Sequence, residues 1–278
     1  AASDVYKRQK LPWAPFLGAL FQKLSNSSSF RPLVLLFFAI ILSFLGNGTS
    51  LQSIVGYGFL LLGLIVVGIP HGAVDHLVES GNWQSKKVPL FILKYLSLAG
   101  LMGLFWYWLT DYALLVFIIY SAWHFGQADG VHWKFKTITS FFWGSSLLIY
   151  ILGTHQEETN AILQTIGAAD LAFSLPYWSI FPWLLWALIF KKPALAITVL
   201  WLTVAAELPL LMAFGLYFIG QHSVTSWKHL SIALNQSNRS IWLHSLPFQI
   251  GAWIILVLFI FLWPASENYN LEMLNKYG

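Results

Sequence analysis

Long apolar stretches separated by short polar loops run along most of the chain. About 20 apolar residues suffice to cross a bilayer as a helix, and shorter stretches suit tilted or broken spans. The pattern therefore predicts an all-α, polytopic membrane bundle of about eight to nine transmembrane helices. The predicted spans are residues 33–45, 53–69, 90–109, 112–125, 138–152, 177–190, 194–206, 210–226 and 246–263.

The polar and basic positions divide the chain into three parts. Residues 1–30 are predicted to form a cytoplasmic or interfacial N-terminal segment, 31–264 the transmembrane domain that carries any chemistry, and 265–278 a C-terminal tail. The stretch 161–175 is rich in alanine and contains Asp170, which favours an interfacial helix over a span.

The composition supports a membrane protein. Hydrophobic residues make up 58% of the chain and charged residues only 9%, against about 25% charged in soluble domains. No basic block is interleaved with exposed aromatic residues, which argues against nucleic-acid binding. Cysteine is absent, so disulfides, thiolate zinc sites and iron–sulfur clusters are excluded. Any metal must be held by nitrogen and oxygen.

The distribution of lysine and arginine predicts the orientation. With a cytoplasmic N-terminus, every second loop carries positive charge, whereas the intervening loops carry acidic residues. This alternation predicts a multi-pass protein of the cell membrane. The basic loops contain Lys86 and Lys87, Lys134 and Lys136, Lys191 and Lys192, and Lys228 and Arg239; the acidic loops contain Asp111, Glu157, Glu158 and Glu207.

Five of the eight histidines fall in three short patches, residues 70–76, 123–127 and 220–229. Each patch lies where an apolar run meets a loop, and the predicted topology brings all three to the cytoplasmic side. Imidazole is costly near hydrocarbon unless it is paired, and a metal ion rewards gathering several. Nitrogen ligands without thiolates favour iron, copper or zinc over magnesium or calcium.

Four histidines are the candidate metal ligands: His71, His124, His222 and His229. The last two are seven residues apart, so on a regular helix they return to nearly the same face two turns apart. Taken alone, this pair also fits interfacial residues that touch lipid headgroups, and His124 also fits a structural histidine. His132, His155 and His244 are predicted to be solvated loop residues.

Neighbours of these histidines are candidates for supporting roles. Asp75 follows His71 by one helical turn and is expected to accept its free ring N–H, an arrangement that fixes the metal-binding tautomer. Pro70 is expected to kink or unwind the helix beside His71. A supporting or pocket-lining role is also predicted for His76, Gln127, Trp123, Phe125 and Trp227.

The missing motifs narrow the chemistry. The HExxH signature of zinc hydrolases is absent, and the chain has fewer clustered histidines than membrane di-iron desaturases need. A Gly-x-Ser-x-Gly elbow and a phosphate-binding loop are also absent. The residues are therefore best explained by one redox-active ion in an aromatic pocket.

The three patches resemble a known family. GIPHGAVDH at 68–76, SAWHFGQAD at 121–129 and GQHSVTSWKH at 220–229 are similar to the Brp/Blh family of membrane β-carotene 15,15′-dioxygenases, and the resemblance extends over residues 33–263. It implies an integral membrane enzyme that uses Fe(2+) and O₂ to split all-trans-β-carotene at its central double bond into two molecules of all-trans-retinal. It also implies delivery of the retinal to a microbial rhodopsin.

The resemblance implies the same four ligands. The PHG histidine corresponds to His71, the WHF histidine to His124, and the last motif supplies His222 and His229. Some members have a closer pair in that motif, so this spacing is a departure from the family pattern.

Three other functions remain open at this stage. The chain could be a cleavage-inactive accessory protein that binds carotenoid or retinal for a rhodopsin, a metal-ion transporter, or a haem-binding electron carrier. A transporter predicts inverted repeats, and the sequence shows no internal repeat.

Overall fold

The computed structural model describes residues 29–46, 49–75, 77 and 88–262, and every regular element within them is helical. The all-α prediction is confirmed. Most of the predicted N-terminal segment and the tail 265–278 lie outside the described residues. The helices are α1 (Phe30–Phe44), α2 (Ser50–Gly72), α3 (Val88–Trp108), α4 (Thr110–Trp133), α5 (Thr137–Thr154), α6 (Gln156–Thr165), α7 (Phe181–Ile189), α8 (Pro193–Ala205), α9 (Leu210–Gly215, Leu216–Ser223 and Val224–Ala233 in succession), α10 (Asn238–His244) and α11 (Leu246–Leu262).

Each predicted apolar span coincides with one of these helices to within several residues at either end. Among the described residues, three helices have the length and mean hydropathy of a complete membrane span: α2, α3 and α5. The pair Asn238–His244 and Leu246–Leu258 qualifies as a fourth span that is bent by 62°. Large apolar side chains cover the outside of these helices, as expected for a surface that faces lipid.

Of the predicted interfacial helix over 161–175, only residues 161–165 are helical. Helix α6 begins earlier and ends at Thr165, because Gly167 adopts a left-handed φ of +72° that breaks the helix. The chain that follows is irregular, and side chains satisfy part of its backbone. Asn160 Oδ1 accepts a hydrogen bond from the Leu171 amide at 2.7 Å, and Asp111 Oδ1 accepts one from the Ala169 amide at 2.7 Å.

The packing of α4 against α5 depends on small residues. A Cβ atom on Gly126 would lie 2.0 Å from the Ser140 carbonyl oxygen, and one on Gly144 would lie 1.9 Å from that of Ala122. The two backbones are therefore in direct contact, as is common between membrane helices. Since Gly126 follows His124 by two residues, this contact fixes the position of the His124 imidazole along the axis of α4.

Helices α2 and α9 each contain a π-helical segment, at Leu64–Gly68 and Leu216–Ser223. The two segments pack against each other: Gly68 faces the side chain of Phe218, and Gly63, just before the first segment, faces that of Ile219. π segments are rare and occur often at functional sites.

The predicted distortion around Pro70 takes the form of the π segment in α2, and two tryptophans support it. Proline has no N–H, so the Val66 carbonyl lacks its usual helical donor. The Trp242 indole N–H donates to that carbonyl at 3.1 Å, and the Trp227 indole N–H donates to the Val67 carbonyl at 3.3 Å. These bonds tie α9 and α10 to the end of α2 that carries His71.

The prediction of solvated loop histidines is wrong for His155, which is 93% buried at the junction of α5 and α6. Its Nδ1 lies 2.7 Å from the Ile151 carbonyl oxygen, and its Nε2 lies 2.8 Å from that of Leu208. His132 and His244 belong to the last turns of α4 and α10 and not to loops.

In the first turn of α6, the Glu158 carboxylate accepts a hydrogen bond from the Leu210 amide at 2.8 Å. Burial raises the pKa of that carboxyl group.

Candidate metal centre

Three imidazoles meet between α2, α4 and α9. His71, His124 and His222 each offer one ring nitrogen, and these atoms all lie within 4.8 Å of one another. The ring centroids are 5.1 Å apart for His124 and His222, 5.3 Å for His71 and His222, and 6.5 Å for His71 and His124. The structure thus brings together one histidine from each of the three patches, as the sequence predicts.

The hydrogen bonding of these rings is incomplete. His222 is fully buried, and neither of its ring nitrogens has a hydrogen-bond partner among the described residues; the same holds for the buried Nδ1 of His71. Leaving a polar atom unpaired in an apolar interior costs on the order of 1–3 kcal/mol. A neutral imidazole has one lone-pair nitrogen and one N–H. A bound cation would accept one lone pair from each of the three rings, so the donor set fits a metal ion.

The geometry of the group is close to that of a coordination site. Nitrogens that are each about 2.1 Å from one ion lie at most about 4.2 Å apart. The three ring nitrogens lie within 4.8 Å of one another. Small rotations of the rings would therefore bring them within coordination distance of one ion. Within the described residues the group contains only histidines, so the ligands would leave the charge of the ion unneutralised. Three protein ligands would also leave coordination positions open.

Aromatic rings surround the three imidazoles. Phe125 packs edge-on against His222 with centroids 4.6 Å apart, which places this predicted wall residue at the site. Phe218 stacks on His222 at 5.9 Å, and Tyr120 stacks on His124 at 6.3 Å. Phe218 and Tyr120 were not among the residues predicted from the sequence. Each precedes its histidine by four residues, about one helical turn.

Three other predicted neighbours lie further out. Trp123 is 46% exposed and contacts Tyr120 at a centroid distance of 6.0 Å. Gln127 donates to the Thr137 carbonyl at 3.1 Å, so its amide links α4 to the start of α5. Trp227 is buried in a separate apolar cluster with Val74, Leu77 and Ile241.

His229 and Asp75 do not join the group. His229 is half-buried and is not among the three gathered histidines. Asp75 is exposed, and the buried Nδ1 of His71 has no partner in the described part of the chain, so the expected bond between them is not formed at that atom. His76 lies outside the described residues.

Comparison with known proteins assigns the family. The family model described as "Beta-carotene 15,15'-dioxygenase" matches residues 62–277, which is well over half of the chain and includes His71, His124 and His222. This chain belongs to that family. The resemblance predicted from the three histidine motifs is confirmed.

A curated relative agrees with the family assignment. A protein named "Beta-carotene 15,15'-dioxygenase" from an uncultured marine bacterium, 66A03, is 40% identical over 70 residues. The aligned part covers 24% of this chain and 26% of the relative, so the chain matches about a quarter of that protein's length. No solved structure matches the chain.

Proposed function

We propose that this member of the β-carotene dioxygenase family cleaves all-trans-β-carotene at its central 15,15′ double bond with O₂ and releases two molecules of all-trans-retinal. One observation carries the proposal. Among the residues that the structure describes, His222 is fully buried with no hydrogen-bond partner at either ring nitrogen, and it lies beside two further imidazoles. Such an arrangement is expensive in a folded protein unless an ion is bound.

Fe(2+) is the proposed ion, held by His71, His124 and His222. Imidazole ligands are compatible with iron, copper and zinc, but O₂ chemistry requires a redox-active centre, which bound iron would supply. The protein residues then hold the ion, leave positions open on it and exclude water. We assign no metal bond to His229, which lies outside the group of three.

The surroundings of the centre suit a conjugated hydrocarbon. Phe125, Phe218 and Tyr120 offer aromatic faces and edges, which bind a rigid polyene through dispersion and stacking. Tyr120 is 62% exposed, and His124 beneath it is partly exposed. We infer that β-carotene, which dissolves only in the membrane, enters from the lipid along this face of α4. The proposed reaction needs no acid–base residue.

We further propose that the chain crosses the cell membrane with eight to nine helices and a cytoplasmic N-terminus. Beyond the three complete spans and the bent pair, the shorter apolar helices Phe30–Phe44, Tyr177–Ile189 and Pro193–Ala205 bring the candidates to seven. The predicted spans 112–125 and 210–226, within α4 and α9, would bring them to nine. The positive loops support the orientation. The three histidines would then lie towards the cytoplasmic side, and the retinal would pass through the membrane to a microbial rhodopsin.

The test uses protein purified in detergent, supplied with Fe(2+), O₂ and β-carotene. The expected result is two retinal molecules for each carotene consumed, measured by chromatography, with no product from His222→Ala. Carotene or retinal that binds without aldehyde formation would instead indicate an accessory protein. Iron uptake into vesicles without pigment chemistry would indicate a transporter, and a Soret band would indicate a haem protein.

A further inference from the structure

A buried carboxylate lies one turn beyond the metal centre on α4. Asp129 follows His124 by five residues and is 1% exposed. Its Oδ2 accepts three hydrogen bonds: from the Trp143 indole N–H at 2.9 Å, the Gln221 amide at 3.1 Å and the Tyr217 hydroxyl at 3.2 Å. Asp129 therefore connects α4 with α5 and α9.

Two of these donors belong to the π segment that carries His222. Gln221 is the residue immediately before it, and Tyr217 precedes it by five residues, one turn of a π-helix. The Tyr217 ring is also 6.2 Å from the His222 ring. The other end of the Gln221 amide is fixed as well, since Thr198 donates to its Oε1 at 3.3 Å.

A π segment of eight residues needs support from outside the helix. π-helices occur mostly as single turns because their backbone geometry is less favourable than that of the α-helix. The segment Leu216–Ser223 is held on its Asp129 side by two side-chain hydrogen bonds. Without them, α9 could return to α geometry, which would rotate His222 relative to His71 and His124.

The charge of Asp129 is compensated locally. Arg31, in the first turn of α1, lines a small cavity together with Asp129, and its charge attracts that of Asp129. The Arg31 guanidinium also donates to the Thr225 hydroxyl on α9. An isolated buried carboxylate is very costly, so the three hydrogen bonds and the nearby positive charge of Arg31 together stabilise Asp129.

We propose that Asp129 is a positioning residue of the metal centre, an inference that rests on the proposed function. Through Tyr217 and Gln221 it fixes the π segment of α9 so that the imidazole of His222 faces those of His71 and His124. Asp129 is not itself in the group of metal-binding atoms. It acts on the ion only through the backbone that carries His222.

The test is the affinity of the metal-free protein in detergent for Co²⁺, followed by visible absorption, in parallel with thermal unfolding. Asp129→Asn keeps the shape of the side chain but replaces the charged acceptor by a neutral amide. This weakens the bonds from Tyr217 and Gln221, since bonds to an ionised acceptor are roughly twice as strong, and we expect Co²⁺ to bind about 10-fold more weakly or worse. Trp143→Phe is the matched control. It removes a donor that lies on α5 instead of the π segment, so it should lower the unfolding temperature and leave Co²⁺ affinity unchanged.

Tyr217→Phe keeps the test decisive if Asp129→Asn does not fold. It removes one of the two bonds to the π segment, and we expect a smaller loss of Co²⁺ affinity, about 2- to 5-fold. The positioning role is overturned if Asp129→Asn, or Tyr217→Phe where it must stand in, binds Co²⁺ like the wild type. It is also overturned if Trp143→Phe weakens binding as much as these variants do. In these cases the proposed function survives. If the wild type binds no Co²⁺ or Fe(2+), the proposed metal centre fails and the positioning role fails with it.

Discussion

Two buried histidines in this molecule have opposite surroundings. His155, at the junction of α5 and α6, has a backbone carbonyl oxygen 2.7 Å from Nδ1 and another 2.8 Å from Nε2. His222, in the π segment of α9, has no hydrogen-bond partner at either ring nitrogen within the described residues. Both are more than 90% buried, so burial alone does not separate them.

This difference distinguishes a histidine with a structural role from one with a proposed role in metal binding. The ring of His155 holds the end of α5 to the chain just before α9, and the protein itself supplies all that it needs. Within the described part of the chain, no group pairs with either ring nitrogen of His222. An unpaired buried polar atom is costly, so its presence at His222 indicates that a bound group stabilises it. The two other imidazoles within 4.8 Å of His222 indicate a cation as that group.

The largest expected effect is on iron content. Replacing His222 by Ala, or either His71 or His124, should reduce bound iron per protein to background and lower retinal formation by more than about 100-fold, since even supporting residues of metal sites contribute about 10–100-fold. Metal analysis of the purified variants measures the first effect, and chromatography of retinal the second. A His155→Leu variant that lost iron equally would remove the distinction between the two histidines.

The next effect is on stability. His155→Leu leaves the Leu208 carbonyl without its ring partner, whereas the Ile151 carbonyl keeps the Thr154 hydroxyl at 3.3 Å. An unpaired buried group costs on the order of 1–3 kcal/mol. We expect a lower unfolding temperature, by about 2–4 °C per kcal/mol, with iron content and the relative activity of the folded protein unchanged. Thermal unfolding in detergent measures the shift. His244→Leu, at an exposed position in α10, is the matched control and should unfold near the wild-type temperature.

The sequence predicts the positions of the helices in this molecule better than the roles of its histidines. Span length and the placement of apolar residues are local properties, so all nine predicted spans correspond to helices. Hydrogen-bond satisfaction is not local: the carbonyl that pairs with His155 Nε2 belongs to Leu208, 53 residues away. A loop position therefore suggested a solvated ring where the fold buries one. The donors that converge on Asp129 also come from distant helices, and only Pro70 hinted at either π segment.

The smallest expected effect is that of replacing His229, which tests whether this residue belongs to the metal group. The sequence places this residue on the same helical face as His222, but seven residues advance an α-helix by about 10.5 Å. Both side chains would have to bend towards each other to share one ion. In the structure His229 is half-buried beside Lys228, outside the group of three. We therefore expect His229→Ala to retain iron and retinal formation to within about 2-fold, a change well under the 1.4 kcal/mol that corresponds to ten-fold. Iron content measured beside His222→Ala decides the matter, because a loss as complete as that of His222→Ala would make His229 a fourth ligand and would require α9 to bend when metal binds.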